Sequence, residues 1–145
     1  MVLVMVKAGL RVGSVVALDM EDLVGDQLVL RRVKGGGDDS VYLPREVVGV
    51  LVAHIGERRT GPMFEGQRGE RMTTRQVARR LAQHAERAGI AGANPHALRH
   101  RFGADVFART DDVLITARAL CHRSIISASV YARASEAQLR AAVGA

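Results

Sequence analysis

The chain opens on apolar positions almost without interruption. Val2 through Val6 precede Lys7, and Val15, Val16 and Leu18 follow the polar break at Gly9-Leu10-Arg11. Short apolar runs bounded by Gly and charged residues predict two buried helices, Val2–Ala8 and residues 13–20. The next stretch changes character. Residues 27–33 read as a strand running into Gly35-Gly36-Gly37, and residues 40–43 as the returning strand before Pro44. A helix follows over Arg45–Ile55, then a polar turn over 56–60. A brief extended piece at Met63-Phe64 is expected to add a third strand, with a loop over 65–72.

From Thr73 the helical period is explicit. Val77, Leu81 and Ala88 fall on one face, while Arg75, Arg79, Arg80 and Arg87 cover much of the rest. Thr73 or Thr74 suits the N-cap and Gly89 the stop. Pro95 fits the first turn of the next helix, which carries His96, Arg99 and His100. Further helices are expected over residues 112–120 and 124–131, with a short Ala-rich one from Ser135. The pattern predicts a mainly α domain with one small antiparallel β-sheet, an α+β fold. At 145 residues it is read as a single domain.

Composition narrows the partner. Hydrophobic residues make up 48% of the chain but aromatics only 3%, with no Trp, so Val, Leu, Ala and Ile must build the core. A net charge of +6 favours a polyanion. Lys7 and Lys34 are the only lysines, which makes Lys34, at the lip of the glycine run, more informative than a lysine usually is. The single Cys121 excludes an internal disulfide and fits a reducing compartment. The apolar start stops far short of the ~20 residues that span a bilayer and lacks the features of a signal peptide. A cytoplasmic protein without a membrane partner is expected.

Candidate chemistry gathers in the last third. His96-Ala-Leu-Arg99-His100 is followed 23 residues after Arg99 by His122, and nine residues later by Tyr131. Arg offers a planar fork for two phosphate oxygens, His moves a proton near neutrality, and Tyr is an oxygen nucleophile. Each has a plainer reading. His96 and His100 could lie on a solvated helix face or form a zinc pair, although the metallohydrolase pattern needs Glu where Ala97 stands. Tyr131 could be a core residue, and Lys34 a solvated strand end. Tyr42, the other tyrosine, reads as a packed strand residue. Arg68, Arg71, Arg75, Arg79 and Arg80 read either as a phosphate-tracking surface or as a solvated face.

The order of these boxes resembles the tyrosine recombinase (phage integrase) family. Its signature is an arginine box (here Gly9-Leu10-Arg11), a lysine on a Gly-rich hairpin (Lys34), His-x-x-Arg (His96 and Arg99), a second histidine (His122 in Leu-Cys-His-Arg-Ser), and the nucleophilic Tyr (Tyr131). The resemblance runs from about residue 9 to residue 131. It implies that Tyr131 attacks a backbone phosphate of double-stranded DNA and forms a 3′-phosphotyrosyl link. Arg11 and Arg99 would bind the non-bridging oxygens. His96 would handle the Tyr proton, His122 would hydrogen-bond the phosphate, and Lys34 would protonate the leaving 5′-oxygen. It also implies no metal or nucleotide cofactor, and a homotetramer around two duplexes.

Several positions depart from the family's pattern. Val12-Gly13-Ser14 follows Arg11 where a Ser-Glu pair is usual, and Asp38-Asp39 on the hairpin would repel phosphate. Cys121 replaces a glycine; a positive φ there would strain it by about 1 kcal/mol or more. The family's separate N-terminal DNA-clamping domain is expected to be missing from residues 1–145. Two rival functions share the pattern: DNA relaxation of the type IB topoisomerase kind, and a non-catalytic DNA-binding remnant.

Overall fold

Helix-forming runs at the start of the chain fold back on one another at a glycine. In the computed structural model, which describes residues 1–31 and 39–121, α1 (Val2–Ala8) buries Val4, Met5 and Ala8 and ends at Gly9, whose φ of 62° is left-handed. That conformation suits glycine because it has no Cβ. The second helix, α2 (Val12–Ala17), is shorter than its apolar pattern predicts. It stops at the extended Leu18, and a separate 3-10 turn, Met20–Asp22, follows. The side chains of Asp19 and Asp22 cap that turn reciprocally.

The sheet is antiparallel, in the order β1 (Leu23–Val24), β2 (Gln27–Leu30), β3 (Asp39–Tyr42). Leu28 pairs with Val41 and both are buried, so alternate residues of β2 and β3 face the core. The expected third strand is therefore elsewhere: Leu23–Val24 supplies it, by a tight turn at Gly25, whose φ is 61°. Met63 and Phe64 are instead buried core residues, flanked by isolated bridges between Asp19 and Pro62 and between Glu65 and Arg71. Tyr42 is not packed. It is 70% exposed, because its register puts it on the solvent side of an edge strand.

Three longer helices follow the sheet. In α3 (Arg45–Ile55) Val47 and Leu51 are buried one turn apart, and His54 stacks on Phe64 while its Nε2 meets the Met63 carbonyl at 3.0 Å. In α4 (Thr74–Arg87) Val77, Leu81 and Ala85 are buried at i, i+4 and i+8. Ala88, expected on that face, is instead the C-cap and is exposed. Thr73 and Gln76 form the capping box at its start. Its end is a Schellman turn at Gly89, where Ile90 N–H donates to Ala85 O at 2.8 Å. In α5 (Pro95–Thr110) Asn94 Oδ1 accepts the Ala97 N–H at 2.9 Å and so caps the helix that carries His96 and Arg99.

Residues 1–102 form one compact unit, with a core of aliphatic, Met and Phe64 side chains. Described residues 103–121 belong to a second. There α6 (Val113–Ala119) is capped by Asp112, which accepts from the Leu114 and Ile115 amides, and Val106, Thr116, Ala117 and Leu120 are buried. Cys121 has a φ of 49°, the left-handed value expected to strain a residue standing in place of glycine. No helix among the described residues is long and apolar enough to cross a membrane.

Candidate active site

Among the described residues, Arg99 and Asp22 are the buried charged side chains. Arg99 is 8% exposed, and its Nη1 donates to the carbonyl of Gly9 at 2.5 Å. A buried guanidinium is tolerated only where its N–H groups find acceptors, and a charge-assisted bond of this kind is a strong one. The acceptor lies two residues before Arg11. α5 can approach so closely because Gly9 has no side chain: a Cβ there would sit 2.8 Å from Cε1 of Phe102, one turn along from Arg99. The Gly9-Leu10-Arg11 box thus couples the two arginines through the backbone.

Arg11 is the N-cap residue of α2, with an extended ψ of 146°, and is exposed. His96 and His100 are exposed on α5, their rings edge to face with centroids 4.7 Å apart. The structure therefore gathers His96, Arg99 and His100 on one helix, as their spacing predicts, and ties that helix to the segment bearing Arg11. Lys34, His122 and Tyr131 lie outside the described residues. Among the described residues no group of three or more His, Cys, Asp or Glu side chains could hold a metal ion. The zinc pair considered for His96 and His100 gains no third ligand there.

The arginines read as a phosphate-tracking surface divide. Arg68, Arg79 and Arg80 line a polar trough of about 670 Å³ together with Gln76 and Glu70, and Arg75 lies beside Arg79 on the same helix. Arg71 is exposed at the surface, yet its guanidinium is bonded back onto the protein. Its Nη1 donates to Val16 O at 2.9 Å and Leu18 O at 3.2 Å, and its Nη2 meets the Asp19 carboxylate. Sequence reasoning missed this contact because it joins residues more than fifty positions apart, with no local signal. It also missed the ion pair of the 3%-exposed Asp22 with Arg31, 2.6 Å from Nε to Oδ1, at the end of β2. Gly9 was visible only as part of a motif, not as the contact point for Phe102.

The sequence matches the model of the phage integrase family over residues 1–138. It is 33% identical over 129 residues to the tyrosine recombinase XerC of Chromobacterium violaceum, covering 85% of this chain and 43% of that protein. It is also 33% identical over 134 residues to the tyrosine recombinase XerD of Mycobacterium tuberculosis, again covering 85% of this chain and 43% of the relative. The chain thus spans less than half the length of these curated relatives. The fold is similar to the crystal structure of XerA recombinase, with a TM-score of 0.81 and 25% identity over 97% of this chain and 54% of that one. XerH site-specific recombinase bound to its difH substrate shows the same fold, with a TM-score of 0.84 and 21% identity over 98% of this chain and 44% of that one.

Proposed function

The chain belongs to the phage integrase family, and on that premise we propose that it is the catalytic domain of a site-specific DNA recombinase. Its substrate in this reading is double-stranded DNA, which the net charge of +6 and the trough of Arg68, Arg79 and Arg80 support. Tyr131 attacks a backbone phosphorus, the bond to the 5′-oxygen breaks, and a 3′-phosphotyrosyl ester forms. His96 takes the phenolic proton and Lys34 gives one to the departing oxygen. His122 donates to a phosphate oxygen. Arg11 and Arg99 hold the non-bridging oxygens, which carry more negative charge in the five-coordinate transition state than before it.

A 5′-hydroxyl from a partner strand reverses the sequence. One phosphate ester replaces another of similar energy, so the chemistry calls for no nucleotide cofactor. Exchange between two duplexes would use four protomers, acting on DNA in a bacterial, archaeal or phage-infected cell. The observation that carries this reading is the 2.5 Å bond from Arg99 to Gly9, which fastens one phosphate-binding cation to the backbone beside the other.

Covalent capture tests it. The protein is incubated with nicked suicide duplexes without metal or ATP, and a DNA-linked band is sought and mapped. An adduct at Tyr131, absent from Tyr131→Phe, is expected. DNA binding without any adduct would instead mark a non-catalytic DNA-binding remnant.

A further inference from the structure

Arg71 closes the end of α2 opposite to Arg11. The last carbonyls of a helix have no partner inside it, and in α2 the guanidinium of Arg71 takes up Val16 O and, just beyond the helix, Leu18 O. A cation at a helix C-terminus also opposes the negative end of its dipole. The same guanidinium holds the carboxylate of Asp19, which caps the 3-10 turn Met20–Asp22. Arg71 itself is carried by a loop that is braced at both ends. Glu65 pairs with Arg71 across an antiparallel bridge and ion-pairs with Arg58 at 2.9 Å, while the Glu70 carbonyl accepts the Gly66 N–H at 2.7 Å. The segment from Gly9 to Asp19 is therefore pinned at its start by Arg99 and at its finish by Arg71, and Arg11 stands between the two pins.

We propose that Arg71 is a positioning residue for Arg11, and not a contact to the DNA backbone. The proposal rests on Arg11 being a ligand of the non-bridging phosphate oxygens. A helix of only six residues has little stability of its own. Its N-cap can hold an exposed guanidinium in place only if the rest of the helix is fastened elsewhere. Arg71 supplies that fastening through fixed backbone carbonyls, so its loss frees Arg11 without removing any group that touches substrate.

The test compares ordinary suicide duplexes with duplexes carrying a methylphosphonate at the scissile position. Such a linkage lacks one non-bridging charge, so it needs less from Arg11. On ordinary phosphate we expect Arg11→Ala to slow adduct formation by roughly a hundredfold or more, and Arg71→Ala by roughly tenfold. On methylphosphonate both losses shrink together, and the double variant is no slower than Arg11→Ala alone. Arg71→Gln, whose amide still donates to a carbonyl but carries no charge, recovers part of the rate. Without DNA, Arg71→Ala raises amide exchange across residues 12–18 while exchange in α3, which packs on α1, stays unchanged.

The proposal is overturned if Arg71→Ala loses equally on both substrates, or if its loss multiplies with that of Arg11→Ala. It is also overturned if Gln is as poor as Ala, or if exchange in residues 12–18 does not move. If Arg11→Ala itself costs nothing on ordinary phosphate, the assignment of Arg11 fails instead, and the exchange measurement still reports whether Arg71 holds α2.

Discussion

Gly9 meets two separate demands at a single position. Its φ of 62° disfavours any L side chain, and the ring of Phe102 occupies the space a Cβ would take. Strain of about 1–2 kcal/mol from the left-handed backbone adds to about 1–3 kcal/mol from overpacking. Gly9→Ala should therefore lower stability by about 2–5 kcal/mol, read from chemical denaturation. It should also lower adduct formation by more than the fraction unfolded explains, because Phe102 and Arg99 must move together. The Gly-Leu-Arg box made this position visible, but only as a motif; its reason is a contact with a residue 93 positions away. Cys121 was legible more fully, since a glycine's place in the pattern implies a positive φ, and its φ is 49°. Tyr42 went wrong in the other direction. An aromatic in a strand usually packs, yet the register of β2 with β3 turns this one to solvent.

The helices were legible where local signals bound them. α4 has a capping box, an apolar stripe and a Schellman turn, and each has a local sequence cause. The third strand was missed because Leu23–Val24 is only two residues long, too short for any period to show. α2 was overextended because Leu18 and Met20 continue the apolar pattern after the backbone has become extended at Leu18. The helix bearing His96 and Arg99 is capped at its first turn by the Asn94 side chain, which accepts from the Ala97 amide. Asn94→Ala should cost about 1 kcal/mol of stability. Fraying should reach His96, two residues into the helix, before Arg99, so the proton transfer proposed for His96 should suffer more than DNA binding. A fall in adduct rate at unchanged DNA affinity would show this, whereas a matched fall in both would not.

Among the described residues two sets of arginines differ in kind. Arg99, which is buried, and Arg71, which is at the surface, are bonded to distant backbone carbonyls, while Arg68, Arg79 and Arg80 line an open trough. Sequence reasoning could not separate them, because an arginine bonded to a distant carbonyl and one facing water look alike in a chain. Their separation has a thermodynamic signature. Each phosphate contact adds about one unit to the slope of log affinity against log salt. Arg79→Ala should therefore weaken DNA binding on every sequence tested and lower the slope by about one. Arg71→Ala should leave the slope as it is. An unchanged slope for Arg79→Ala would place the duplex on another face.

The bond between Arg99 and the Gly9 carbonyl bears on safety as well as speed. An enzyme that opens DNA and fails to reseal it does damage, so a half-built site is worse than none. With each cation anchored through the other's scaffold, local unfolding at either one releases both. If both arginines hold the scissile phosphate as proposed, they are gained or lost as one cooperative event, and a protomer that loosens would fall silent before it could cut.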